Sequence, residues 1–193
     1  FDEFVGLAYK PSMKLILCPL GRELKFLKQA LESKGLSFNE TKVGTLKCWQ
    51  GEGLLLAPGG HGKTQFGIQG EFLVNQVGGV EHLFCVGAGG GLSKDLKTCD
   101  VVAATSIIEH DYTERFDEDA PLPEFYCDEK TLMSLQNFTG DFDLHFGPIA
   151  SGDEDIVDRE RAMEIVDETS ALAVAWEAAG GARVARCHAL PYT

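Results

Sequence analysis

Short apolar runs alternate with stretches of helical periodicity along most of this chain. Residues 14–18 form a compact run around Leu15, Ile16 and Leu17, which predicts a buried strand. Leu24, Leu27, Ala30 and Leu31 then recur at helical spacing and predict a helix over 21–33. A second apolar run at 53–57 precedes Pro58-Gly59-Gly60 and a helical stretch over 63–77. A third strand at 82–86 ends in Gly87-Ala88-Gly89-Gly90-Gly91, and a long β-branched run at 100–108 makes a fourth. Residues 110–123 read as an acidic loop, and Asp128 opens a helix through about Leu135. Further strands are predicted at 144–150 and 171–175, with a last helix over 176–188. Strands alternating with helices imply an α/β fold, three layers deep around a central mixed, mostly parallel sheet.

The 193 residues, 44% of them hydrophobic, suffice for one domain with one sizeable core. Seventeen basic against thirty acidic residues leave a net charge of −13, which repels nucleic-acid phosphates and anionic lipid. No apolar run approaches the roughly 18 residues of a membrane helix. Phe1-Asp2-Glu3-Phe4 places acids where a secretory leader carries Lys or Arg, so a cytoplasmic location is expected. None of the six cysteines (Cys18, Cys48, Cys85, Cys99, Cys127 and Cys187) forms a C-x-x-C pair. Free thiols are expected rather than disulfides or zinc ligands.

Several motifs carry possible chemistry. Ala57-Pro58-Gly59-Gly60-His61-Gly62-Lys63-Thr64 satisfies a relaxed phosphate-loop pattern, with Ala for the first Gly. It follows a later strand rather than the first, and the next strand ends in glycines where a magnesium-holding Asp should stand. A glycine turn packing a helix onto a sheet is the simpler reading, and a P-loop nucleotide-binding protein the alternative. Gly87-Ala88-Gly89-Gly90-Gly91 lacks the third glycine of a dinucleotide fingerprint, yet residues without bulk after a strand let a ligand approach the backbone. Ser151-Gly152-Asp153-Glu154-Asp155 reads as a solvated acidic loop, with no further ligand at metal spacing. Glu23 and Glu177 each stand near the start of a predicted helix just past a strand, the edge where open α/β sheets bind ligands.

The order and spacing of these pieces resemble the nucleoside phosphorylase superfamily. Within it, they are most similar to the methylthioadenosine/S-adenosylhomocysteine nucleosidases and their uncharacterised relatives. Met13-Lys14-Leu15 through Arg22-Glu23-Leu24 resembles that family's first strand and acidic helix start. Gly60-His61-Gly62-Lys63 resembles its S-G-I-G-K turn, and Val86 through Leu92 its T-G-S-A-G-G-L run. Leu96-Lys97-Thr98-Cys99-Asp100-Val101-Val102 resembles L-K-x-G-D-V-V, and His110-Asp111 resembles Y-H-D. Asp128-Glu129-Lys130-Thr131-Leu132 resembles a D-E-K-L helix, and Ser151-Gly152-Asp153 matches S-G-D. Ala173-Val174-Ala175-Trp176-Glu177-Ala178-Ala179 resembles A-V-D-M-E-G-A.

The resemblance implies hydrolysis of the bond between a purine and its ribose, with no cofactor and no metal. Glu23 matches the water-activating carboxylate and Glu177 the one that takes the ribose hydroxyls. Trp176 stands where a methionine lies under the sugar. Ala88, Gly89 and Gly90 border the base, Asp155 replaces the aromatic residue that stacks on it, and the backbone of Ile156 matches the reader of its edge. Phosphorylases hold phosphate with an Arg and a Ser where this chain has Cys85 and Ala88, which favours a nucleosidase. The chain stops at Leu190-Pro191-Tyr192-Thr193, before the family's last strand and helix, so no general acid is assigned. A catalytically inactive nucleoside-binding relative is therefore a further alternative. Residues 1–12 read as an extension preceding a nucleoside-phosphorylase-like domain over 13–193, and Phe4, Val5, Leu7 and Tyr9 are candidates to cover an exposed face. The family pairs two-fold, which implies a homodimer whose partner lends Phe116 to the sugar pocket.

Overall fold

The computed structural model describes residues 12–117 and 120–193. Phe4, Val5, Leu7 and Tyr9 of the expected extension lie outside the described residues, as do Glu118 and Asp119 of the acidic loop.

Apolar burial on alternate positions shapes the first half of the chain. Strand β1 (Met13–Cys18) is followed by α1 (Gly21–Ser33), a hairpin of β2 (Asn39–Val43) and β3 (Leu46–Gly51), then β4 (Leu54–Pro58), α2 (Lys63–Val77) and β5 (Val80–Cys85). These strands form one sheet in the order β2-β3-β4-β1-β5. The second half supplies β6 (Gly90–Gly91), β7 (Val101–Glu109), β8 (Glu124–Tyr126), α3 (Glu129–Leu135), β9 (Leu144–Ser151), α4 (Arg159–Thr169), β10 (Ala173–Ala175) and α5 (Ala178–Cys187). Its strands form a second sheet in the order β6-β10-β9-β7-β8. The α/β class and the mixed sheet character are as the sequence implies, but the strands divide between two sheets. Parallel pairing is confined to β4-β1-β5 and β10-β9-β7, and the other pairings are antiparallel.

The two sheets share one core. Leu15, Leu17, Leu55, Phe66, Leu73 and Leu83 from the first half pack with Ile107, Phe125, Ala179 and Val184 from the second. At roughly 25 cal/mol per Å² of apolar surface, each such side chain contributes on the order of 2 kcal/mol. Tyr192 lies in this core, and its hydroxyl donates to the Ala178 carbonyl. The last residues run alongside β5: Leu83 N–H donates to Pro191 O, Thr193 N–H to Leu83 O and Cys85 N–H to Thr193 O.

The hairpin of β2 and β3 and the helix α4 are not anticipated from the periodicity. Asn39-Glu40-Thr41-Lys42 is polar on both faces, and Cys48 is the one buried side chain of the pair. Gly44, at φ +58°, supplies the left-handed backbone of the turn. Helix α4 buries only Ile165 and Thr169, too narrow a stripe to register as amphipathic. Its start is fixed by Asp158, whose side chain accepts the Glu160 N–H. All six cysteines are free thiols; Cys18, Cys48 and Cys127 are buried, and Cys99 and Cys187 are exposed. Among the described residues no helix is long and apolar enough to cross a membrane.

Candidate active site

The C-terminal ends of β1, β4, β5 and β10 meet in one region, and the first turns of α1, α2 and α5 face it. Two glutamates stand there. Glu23 lies in the first turn of α1, and its Oε2 accepts the Leu20 N–H at 2.9 Å, tying down the start of its own helix. Its Oε1 accepts the Ala88 N–H at 3.0 Å, across from the end of β5. Gly87 allows this approach, because a Cβ there would come within 2.9 Å of Pro19 and 3.4 Å of Glu23 Oε2. Gly89 and Gly90 lie against Val174 of β10, and β6 pairs with that strand. Ala88, Gly89 and Gly90 are themselves exposed, as a surface that receives a ligand must be.

Glu177 caps the start of α5 and is 6% exposed. Its Oε1 accepts the Gly62 N–H at 3.0 Å. Burial pushes its carboxyl above the ordinary value of 4.5 against the pull of the Gly62 N–H, and the nearby Glu23 carboxylate adds to the rise. Cys85, at the end of β5, lies close enough to both glutamates to feel their charge, and burial pushes its thiol up to about 12. That thiol is therefore neutral near pH 7. Trp176 is half-buried, with its ring centroid 4.5 Å from that of His61.

The phosphate-loop look-alike is filled by protein carboxylates. Lys63 Nζ donates to Glu109 Oε1 at 2.8 Å and also to Asp111, and Arg183 donates to the other oxygen of Glu109. Burial works against the lysine's charge, but the bonds to Asp111 and Glu109 outweigh it and raise its pKa. The Lys63 N–H donates to Asp153 Oδ1 at 2.8 Å, and the Asp153 N–H to Asp111 Oδ2 at 2.9 Å. With the Gly62 N–H on Glu177, the Gly62 and Lys63 amides and the lysine's ammonium are all held by protein carboxylates. The lysine that a phosphate loop would aim at phosphate is thus already paired, which counts against the nucleotide-binding alternative.

The acidic run at 151–155 is not the solvated loop its composition suggests. Ser151 is fully buried, its hydroxyl donating to Trp176 O and accepting the Ala179 N–H. Glu154 takes Arg161 through both oxygens, at 2.9 and 3.0 Å. His110 is buried beneath Gly152, its ring nitrogens have no hydrogen-bond partner among the described residues, and burial lowers its pKa. Asp153 and Asp155 of this run are exposed, as the solvated reading expects, while Ile156 packs beside the cluster of Ala150, Ile165, Ala171 and Val174.

Glu23, Ala88, Gly89, Gly90, Trp176 and Glu177 are thus gathered around the strand ends. Asp155 and Ile156 sit on the loop that Asp153 ties to α2. Phe116 stands apart, fully exposed on the acidic loop. Sequence reading missed His61, Glu109 and Arg183. The isolated Glu109 ending an apolar β-branched strand was the available signal, because a buried acid needs a cation.

The sequence pattern of the phosphorylase superfamily matches residues 14–193. Comparison with curated proteins gives no match. Among solved structures, a futalosine hydrolase mutant of Helicobacter pylori strain 26695 superposes with a TM-score of 0.80 at 25% identity, covering 94% of this chain and 85% of that one. The Helicobacter pylori MTAN superposes with a TM-score of 0.76 at 26% identity, with the same coverage. A putative 5′-methylthioadenosine/S-adenosylhomocysteine nucleosidase of Francisella philomiragia shares the fold with a TM-score of 0.79 at 23% identity, covering 94% and 82%.

Proposed function

Because this chain belongs to the phosphorylase superfamily, we propose that it binds a purine nucleoside at the Glu23–Glu177 crevice and hydrolyses the N-glycosidic bond. The observation that carries this reading is the pair of carboxylates at the strand ends, each oriented by backbone N–H donors beside an exposed glycine run. Structural likeness to a solved MTAN complex with 5′-methylthioadenosine in its active site supports the nucleoside class.

The chemistry follows from charge. As the C1′–N bond lengthens, positive charge grows on the ribose and negative charge on the base. Glu23, held at the end of β1, takes a proton from water as its oxygen bonds to C1′. Glu177 accepts hydrogen bonds from the 2′ and 3′ hydroxyls, and the Trp176 face packs under the sugar. The base lies along Ala88, Gly89 and Gly90, with Asp155 and the Ile156 backbone at its edge. Phosphate is a poor nucleophile here: a neutral Cys85 thiol and the Ala88 methyl stand where phosphorylases place a cation and a hydroxyl. The departing base must gain a proton, and none of the side chains named here is assigned to give it. A second reading is binding without turnover.

Incubation with a nucleoside panel, with and without phosphate, separates these readings. Free base appearing without phosphate supports hydrolysis. Binding by calorimetry with no base released supports the second reading, and absence of both defeats the nucleoside assignment. We also propose a homodimer in which Phe116 enters the partner's sugar pocket, since a fully exposed Phe on an acidic loop gains by burial in a two-fold contact. Sedimentation should give about twice 21.0 kDa, and Phe116→Ala should weaken nucleoside binding even where the dimer persists. A monomer binding at full strength defeats this part.

A further inference from the structure

His61 and Trp176 occupy two positions where this chain departs from the motifs it resembles, the aliphatic residue of S-G-I-G-K and the methionine before the ribose-binding glutamate. The two departures touch: the rings lie 4.5 Å apart between centroids, tilted by 55°. Trp176 immediately precedes Glu177, and His61 immediately precedes Gly62, whose N–H holds the Glu177 carboxylate. The pair therefore flanks both ends of that hydrogen bond, and the His61 charge, when present, pulls on Glu177. The His61 residue itself is exposed.

The strand order places this pair along the sugar. Glu23 leaves the end of β1 and reaches toward β5, taking the Ala88 N–H. His61 follows β4, on the opposite flank of β1. Neighbouring strands lie about 4.8 Å apart, so β4 and β5 are separated by about 10 Å. On the nucleoside reading above, a ribose with C1′ at Glu23 and its diol on Glu177 would span from the β5 side to the β4 side, where His61 stands.

We propose that His61 is a specificity-determining residue that hydrogen-bonds the 5′-hydroxyl of an unmodified purine ribonucleoside, an assignment that rests on the nucleoside reading above. An alkylthio group gains nothing from an imidazole edge that an aliphatic side chain would not supply better. A 5′ phosphate or carboxylate would meet the carboxylates of Glu177 and Asp153, while the cation nearby, Lys63, is already held by Glu109 and Asp111. A hydroxyl both donates and accepts, as a neutral imidazole does, and fits either tautomer. The Trp176 contact holds the ring in place, which lowers the entropy lost on binding.

The test is calorimetry on the full chain with adenosine and inosine, each beside its 5′-deoxy and 5′-methylthio forms. The parent nucleoside should bind about tenfold tighter than the 5′-deoxy form, the scale of one hydrogen bond. His61→Ile should shrink that ratio to within about twofold and improve the 5′-methylthio form. His61→Gln, which keeps a donor and an acceptor, should retain most of the preference. If all three forms bind equally, or His61→Ile leaves the ratio intact, the His61 assignment is overturned and the nucleoside reading stands. If no nucleoside binds, both fall.

Discussion

Two glycine turns in this chain look alike in sequence and differ in what satisfies their backbone. Gly59-Gly60-His61-Gly62 and Gly87-Ala88-Gly89-Gly90-Gly91 each follow a strand that pairs with β1. In the first, the Gly62 and Lys63 amides are taken by Glu177 and Asp153, and the lysine side chain is taken by Glu109 and Asp111. In the second, one carboxylate takes the Ala88 amide, Gly90 and Gly91 pair with β10, and the run stays exposed. What holds a glycine-rich turn therefore depends on residues far away in sequence. The first turn holds a carboxylate through its amides; the second is left exposed, where we propose a ligand lies.

The largest way to break this contrast is Lys63→Met. It leaves Asp111 without its cation and Glu109 with Arg183 alone, and should cost about 3 kcal/mol, near the low end for opening a buried ion pair. Urea unfolding measures it, and unchanged stability would show that the network is not scaffold. Magnesium-ATP should show no micromolar binding to the parent protein, because the lysine has no phosphate to meet. Next comes Glu177→Gln, which keeps the shape but removes the charge. Nucleoside affinity should fall by about 1.5–3 kcal/mol, the scale of a hydrogen bond to a charged group. A 2′-deoxynucleoside should lose a comparable amount on the parent protein, and equal affinity for both sugars would take Glu177 out of the site.

The pH dependence of binding sharpens the same point. Glu177 has its carboxyl raised above 4.5 by burial, so it protonates at a higher pH than an exposed glutamate. Nucleoside affinity should then decline as pH falls through a window above 4.5, and Glu177→Gln should flatten that decline. The stability of the free protein runs the other way. The raised carboxyl favours folding below the unfolded value and loses that contribution as pH rises through the folded one. The smallest expected effect is Gly89→Ala, whose methyl would come to 3.0 Å from the Val174 carbonyl. A loss of about 1 kcal/mol in stability with a larger relative loss in nucleoside affinity would mark the turn as ligand surface.

The extents of α1 and α2 and the runs around β1, β4, β5, β7 and β9 are legible in the sequence because each is buried by apolar periodicity. Asp128 is also legible as a cap, and its side chain does accept the Thr131 N–H. The hairpin of β2 and β3 is not, since β2 is polar on both faces and β3, which buries only Cys48, is held in the sheet by pairing with β4. The division of the strands into two sheets also escapes a one-dimensional pattern. At the site, Glu23 and Glu177 are marked by their place after strands, whereas Asp153 and Glu154 look like surface acids. Their partners, Lys63 and Arg161, are respectively ninety and seven residues away, and only the fold shows that the first pair meets.

Ser151 joins the end of β9 to the start of α5 through one hydroxyl. Gly152 and Asp153 continue from it toward the loop of Asp155 and Ile156, while Glu177 sits between the two backbone groups that the hydroxyl contacts. The loop of Asp155 and Ile156 and the Glu177 carboxylate are in this way fastened to a single buried rivet. A ligand that tightens either end should slow hydrogen exchange at the Ala179 amide, and Ser151→Ala should let the two ends exchange independently.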